Sequence, residues 1–174
     1  MEPDEVAKRL FGVATTEYGD KYVEHVLEQY KLYVEGMDKV SDRRQKTNEF
    51  FLALNTALLG LLGFADAKYT QRTSALLILG PLAGLLLCFF WFSVIKSYRG
   101  LNTGKFAVIH AVERRLPLAL YATEWDVIGR GSDGRRYRPI THVEIWVPWI
   151  FFAVYLVVLA TNIPWHSVPC LCHR

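Results

Sequence analysis

Three long uncharged, apolar runs alternate with polar segments along the chain. The first lies between Glu49 and Asp66, the second between Arg72 and Lys96, and the third follows Glu144. A helix needs about 20 apolar residues to cross a hydrocarbon core of roughly 30 Å. The second and third runs have that length, and the shorter first run reaches it if the preceding helix continues into it or if the bilayer thins. We therefore predict an all-α membrane protein with three transmembrane helices; the alternative is a soluble protein that buries these helices.

The positive charges indicate which segments face the cytoplasm. Eight Lys and Arg residues precede the first run, nine separate the second run from the third, and the other two segments hold three. Because cytoplasmic segments are enriched in Lys and Arg, we predict the N-terminus inside and the C-terminus outside. The predicted segments are a cytoplasmic N-terminal region (1–48), a first transmembrane helix (49–65), an external loop (66–73), a second transmembrane helix (74–95), a cytoplasmic helical insert (96–144), a third transmembrane helix (145–164) and an external tail (165–174).

A regular series of large or apolar residues precedes the first run. Its members alternate at spacings of three and four: Val23, Val26, Tyr30, Tyr33, Met37 and Val40. The series continues in register through Arg44 and Thr47 to Phe51, which predicts a long amphipathic helix with a coiled-coil-like seam. This seam is expected either to associate with other copies or to pack against the second loop of its own chain, and both readings stay open.

Small residues cluster on one face of the first predicted transmembrane helix. They recur three or four positions apart: Ala53, Thr56, Ala57, Gly60 and Gly63. Small side chains let helices approach closely in lipid, and Asn55, beside this face, requires a partner helix or water. We interpret these six residues as a subunit-contact or pore-lining face; the alternative is packing against the other two transmembrane helices of the same chain. Gly80 and Gly84 add a second small-residue contact within the bundle.

The long insert between the second and third apolar runs contains helical patterns. Phe106, Ile109 and Val112 have helical spacing up to Pro117, and "LYATEWDVIG" predicts a second short helix that ends at Gly129. A Gly- and Arg-rich segment follows, which contains Arg135, Arg136 and Arg138. These arginines are candidates for docking a partner; the alternative is that their charges only set the membrane topology near the lipid headgroups.

Composition and motifs point away from catalysis. Hydrophobic residues make up 52% of the chain and the net charge is +3, so nucleic acid is not the expected partner. Arg136 and His142 match the loose spacing of HEPN-type ribonucleases, but Pro139 lies between them. Cys170 and Cys172 with the adjacent histidine offer fewer than the four ligands of structural zinc. We expect no catalytic site, no cofactor, no metal and no cleavable signal peptide.

Several long blocks of the sequence resemble a known family. "EHVLEQYKLYVEGMDKVSDRRQKTNEFFLALNTALLGLLG", "SYRGLNTGKFAVIHAVERRLP", "EW" and "YRPITHVEIWVP" are similar to the RipA-family octameric membrane proteins of bacteria. The resemblance implies a small inner-membrane protein with a large cytoplasmic helical part that assembles as a ring of eight. More distantly, the layout resembles membrane accessory proteins of RNA-targeting CRISPR systems and of other anti-phage operons.

Together these observations lead to one functional hypothesis and two alternatives. The hypothesis is a homo-oligomeric pore or membrane-perturbing scaffold in the bacterial inner membrane that serves phage defence or envelope stress. The first alternative is a non-conducting adaptor that tethers a cytosolic defence protein to the bilayer. The second, remote alternative is a membrane-bound ribonuclease of the HEPN type.

Overall fold

A computed structural model describes residues 3–68, 75–131 and 144–163, and the regular structure in these ranges is entirely helical. This confirms the all-α class. The helices are α1 (Pro3–Leu10), α2 (Thr15–Tyr18), α3 (Tyr22–Lys68), α4 (Ala75–Glu113), α5 (Leu120–Val127), a 3-10 turn (Gly129–Gly131) and α6 (Trp146–Asn162).

Two of these helices are long and apolar enough to cross a membrane. They are Tyr22–Ala67 within α3 and the whole of α4, whereas α6 is apolar but has only 17 residues. The exact topology of three transmembrane helices therefore stays a prediction. The 47 residues of α3 join the amphipathic seam to the first apolar run in one helix, as the unbroken register predicted.

Helix α4 differs from the expectation, because it joins the second apolar run and the first helix of the insert without a break. Between Lys96 and Glu113 no proline interrupts it, and each of its two glycines there costs only about 1 kcal/mol of helix propensity. The helix ends at Glu113, where a tighter turn begins before Pro117. The short helix α5 follows as predicted, and Gly129 has a φ of 76°, a conformation that favours glycine.

The chain divides into two compact units. The first comprises residues 1–45 and 96–142, and the second comprises residues 46–95 and 143–174. In the described part of the first unit, the buried apolar residues are Val6, Met37, Ile109 and Ala111. In the described part of the second unit, the core is formed by Leu62, Cys88 and Tyr155, with leucines and phenylalanines packed around them.

Candidate functional site

The small residues of α3 form an exposed face of the subunit. We call the five residues Ala53, Thr56, Ala57, Gly60 and Gly63 the small-residue face, and all five are exposed. A Cβ added to Gly60 or Gly63 would meet nothing within 4 Å. The hydroxyl of Thr56 donates to the carbonyl of Leu52 at 2.8 Å, so its hydrogen bond is made within the helix. In the described part of this unit the small-residue face is therefore exposed, which leaves it available to another copy.

Asn55 does not share this exposure. Its side chain is fully buried, and its Nδ2 donates to the carbonyl of Phe51 at 2.8 Å. The Cys88 thiol lies 3.6 Å from its Oδ1, and the Tyr155 hydroxyl donates to its backbone carbonyl at 3.1 Å. Asn55 is therefore a contact among α3, α4 and α6 of one chain, on the side of α3 that points into the bundle.

The helical period, and not the strict register of the seam, explains where Asn55 lies. Phe51, Asn55, Leu58 and Leu62 are three or four residues apart and so lie on one side of α3, whereas the strict alternation of the seam would continue at Leu54, which is exposed. Leu62 is buried and Leu58 packs against the same core. The small residues fall at other positions of the helix, so the amphipathic pattern alone separates Asn55 from them.

The close approach of helices inside the second unit occurs at the glycines of α4, as predicted. A Cβ on Gly80 would overlap the side chain of Leu62, and one on Gly84 would overlap the ring of Tyr155. Pro81 also lies within α4, where proline removes one backbone hydrogen bond of the helix. Membrane helices tolerate such a loss when neighbouring groups compensate for it. These contacts hold α3 and α6 against α4.

A second polar contact of the second unit lies among packed aromatic rings of α3, α4 and α6. The indole Nε1 of Trp91 donates to Oδ1 of Asn48 at 3.0 Å. The Trp91 ring is 2% exposed and stacks nearly parallel to Phe51, with ring centroids 5.8 Å apart. Phe151 of α6 packs on the same indole at 6.0 Å. Buried polar groups that find such partners hold membrane helices in one arrangement.

In the first unit, much of the seam packs against α4 of the same chain. The Tyr30 hydroxyl donates to Glu113 Oε1 at 3.1 Å, and Lys105 Nζ lies 4.7 Å from the centre of the Tyr33 ring. Met37 is buried, whereas Val23 is 69% exposed. Packing within the chain therefore accounts for the middle of the seam, and association between copies stays a prediction.

Glu113 is the residue that sequence reasoning missed. Its side chain is 1% exposed and accepts hydrogen bonds from the backbone N–H groups of Tyr121 and Ala122, at 2.8 and 3.0 Å. It thereby fixes the first turn of α5. Burial, and secondly the nearby Glu113 carboxylate, raise the pKa of Tyr30 to about 12. The available signal was that Glu113 is the only acidic residue between Asp66 and Glu124.

A half-open groove with a volume of about 320 Å³ lies in the first unit. We call it the aromatic groove, because its lining includes Phe11, Tyr18, Tyr22, His25, Tyr30 and Tyr33, over aliphatic residues of α3 and α4. The Tyr18 hydroxyl and His25 Nδ1 are 2.8 Å apart. The guanidinium of Arg115 lies 3.5 Å from the centre of the Phe11 ring, so the edge of the groove carries positive charge.

Some predicted site residues fall outside the described part of the chain. They are the candidate docking arginines Arg135, Arg136 and Arg138, the His142 of the ribonuclease alternative, and the C-terminal cysteines Cys170 and Cys172. Within residues 3–68, 75–131 and 144–163, no group of three or more His, Cys, Asp or Glu residues could hold a metal ion.

Comparison with known proteins identifies the family. A family model described as the octameric membrane protein family (8xMP) matches residues 27–164, from the second turn of α3 to just beyond the end of α6. A search of curated proteins found no match, and neither did a search of solved structures. This match does not confirm the narrower assignment to the RipA family, which stays a prediction. Because the match covers most of the chain and the two long helices are apolar enough to span a membrane, this chain belongs to the octameric membrane protein family.

Proposed function

We propose that eight copies of this chain form a ring in the bacterial inner membrane, where the ring acts as a pore or a membrane-perturbing scaffold and catalyses no reaction. The observation that carries this proposal is the exposed small-residue face of α3. In lipid no hydrophobic effect drives helices together, so small residues favour association by allowing close contact between backbones. A face of this kind offers a poor surface to lipid and a good one to another helix.

The polarity of this face bears on how a pore would open. Its one hydroxyl, on Thr56, is already bonded to Leu52, and the buried Asn55 side chain is not part of it. An opening bordered by the small-residue face is therefore apolar, and apolar constrictions close by excluding water. We propose that the ring is closed at rest and conducts when voltage or a partner widens it.

The orientation in this proposal follows from the distribution of Lys and Arg. The N-terminal region and the insert, which hold most of these residues, lie in the cytoplasm, and the C-terminal tail lies outside. A membrane-impermeant thiol reagent should then label Cys170 or Cys172 in intact spheroplasts under reducing conditions. Labelling that appears only after lysis would reverse the proposed orientation.

Two matched substitutions test the role of the small-residue face. Ala57 lies on this face, and Ala153 is an exposed alanine on α6. Ala57→Leu should reduce the eight-subunit species in native mass measurements and alter ion flux into liposomes, whereas Ala153→Leu should leave both unchanged because leucine suits lipid. Equal behaviour of the two variants would remove this face from the assembly.

The adaptor is the second candidate, and an exposed apolar groove in the first unit favours it. In that case the membrane helices only anchor the protein, and the first unit captures a cytosolic defence protein. A ring that passes no ions at any applied potential, but co-purifies with one cytosolic protein from native cells, would favour the adaptor over the pore.

A further inference from the structure

The first unit exposes a second apolar surface besides the aromatic groove. We call it the apolar face of α5; it consists of Leu120 and Val127, which lie seven residues apart on one side of the helix. They are 61% and 67% exposed, and the preceding Leu118 is 67% exposed. No residue of α5 is buried. One surface is a concave groove and the other is an exposed helix face, and exposed apolar surfaces of this kind mark interaction sites.

We propose that α5 of one copy docks into the aromatic groove of the next copy around the ring. This inference rests on the ring assembly of the proposed function. A closed ring of more than two identical subunits requires a head-to-tail interface, in which each copy offers two different surfaces. The first unit carries two such surfaces: the aromatic groove, which receives a helix, and the apolar face of α5, which inserts into a groove. Each copy can therefore contact one neighbour through each surface.

Charge and composition favour a protein occupant over a small molecule. Glu124 lies between Leu120 and Val127 on the apolar face of α5, and Arg115 lies at the edge of the groove. An acidic group on the inserted helix thus meets a basic group on the receiving copy. Tyrosine and arginine, which the groove provides, are enriched at the energetic centres of protein interfaces.

Substitution of exposed residues tests the docking without disturbing the subunit. Val127→Asp on α5 and Val13→Asp at the groove each place a charge in the proposed interface, and both side chains are exposed in the subunit. Each should raise the protein concentration needed for half-maximal assembly at least tenfold. Leu32→Asp is the matched control, because Leu32 is also 67% exposed but does not line the groove, and it should change nothing. Unchanged assembly of both groove and helix variants would overturn the proposal.

Cross-linking determines which surfaces meet. In a background without the native cysteines, a subunit with Val13→Cys and a subunit with Val127→Cys are co-expressed, and each is also expressed alone. Oxidation should link two copies only in the co-expressed sample. Links in either single sample, or a link within one chain when both changes are combined, would overturn head-to-tail docking.

Charge exchange separates this inference from the proposed function. Arg115→Glu or Glu124→Arg alone should weaken assembly, and the double variant should restore it, because the pair is re-formed in opposite order. An intact, conducting ring that shows no cross-link contradicts the docking alone. A correctly cross-linked ring that passes no ions leaves the docking standing and contradicts the pore.

Discussion

One added methyl group at Gly84 tests the packing of the second unit. A Cβ on Gly84 would overlap three ring carbons of Tyr155 at separations that real side chains do not reach. The Tyr155 side chain is fully buried, and its hydroxyl is bonded to the backbone carbonyl of Asn55 at 3.1 Å. The ring therefore cannot move away from α4 without weakening that hydrogen bond.

The expected change in stability follows from three contributions. Overpacking a dense core costs about 1–3 kcal/mol. A weakened hydrogen bond between membrane helices adds roughly 0.6 kcal/mol. Alanine offsets up to about 1 kcal/mol of this, because it forms helix better than glycine. Gly84→Ala should therefore lower the free energy of unfolding by roughly 0.5–3.5 kcal/mol.

The assay is unfolding in mixed micelles by titration with SDS, followed by the helical circular dichroism signal. Gly100→Ala on the same helix is the control, because its added Cβ would meet nothing within 4 Å. The control should be neutral or stabilising by up to about 1 kcal/mol. If Gly84→Ala is as stable as Gly100→Ala, Tyr155 does not pack on α4 as described.

Three further predictions concern the buried polar groups. Glu113→Ala should remove about 2 kcal/mol of protection from the Ala122 amide, a roughly 30-fold faster hydrogen exchange, and an unchanged rate would exclude the contact. Tyr30 should titrate near pH 12 rather than 10 in absorbance measurements, because its pKa is raised by burial and then by Glu113. Its contribution to stability is therefore present below pH 10 and lost as the pH rises through 12, and a normal titration near pH 10 would contradict the burial. Asn55→Leu should cost no more than roughly 0.6 kcal/mol of unfolding free energy, because only the weak hydrogen bond from the Cys88 thiol is lost; a large loss of ion flux with unchanged stability would instead show that Asn55 lines the pore.

The helices themselves could largely be predicted from the sequence. Helical periodicity and the absence of charge predicted the apolar helices, the long seam of α3 and the short helix α5, because local pattern and propensity agree there. The continuity of α4 was not predicted. The change from apolar to polar composition at Lys96 suggested that a helix ends there. A helix can nevertheless continue from lipid into water where no proline interrupts it.

The partners of individual side chains were less predictable. Asn55 was grouped with the small residues by proximity in sequence, although its spacing from Phe51 places it on the same side of the helix as Phe51, Leu58 and Leu62. Which of two faces a membrane helix buries depends on the neighbouring helices, and α4 and α6 are distant in sequence. The Glu113 contacts with Tyr30 and with α5 likewise join segments that no local pattern connects.

We propose that the small-residue face of α3 turns toward other copies in the ring, and distances between spin labels on neighbouring copies measure this. Ala57→Cys and Ala153→Cys are each labelled in a background without the native cysteines, and the ring is reconstituted in lipid nanodiscs. Electron–electron double resonance then measures the distance between labels on neighbouring copies. We expect a clearly shorter distance for the label at position 57 than for the label at position 153. A longer distance at position 57 would place α3 at the lipid boundary and contradict the claim.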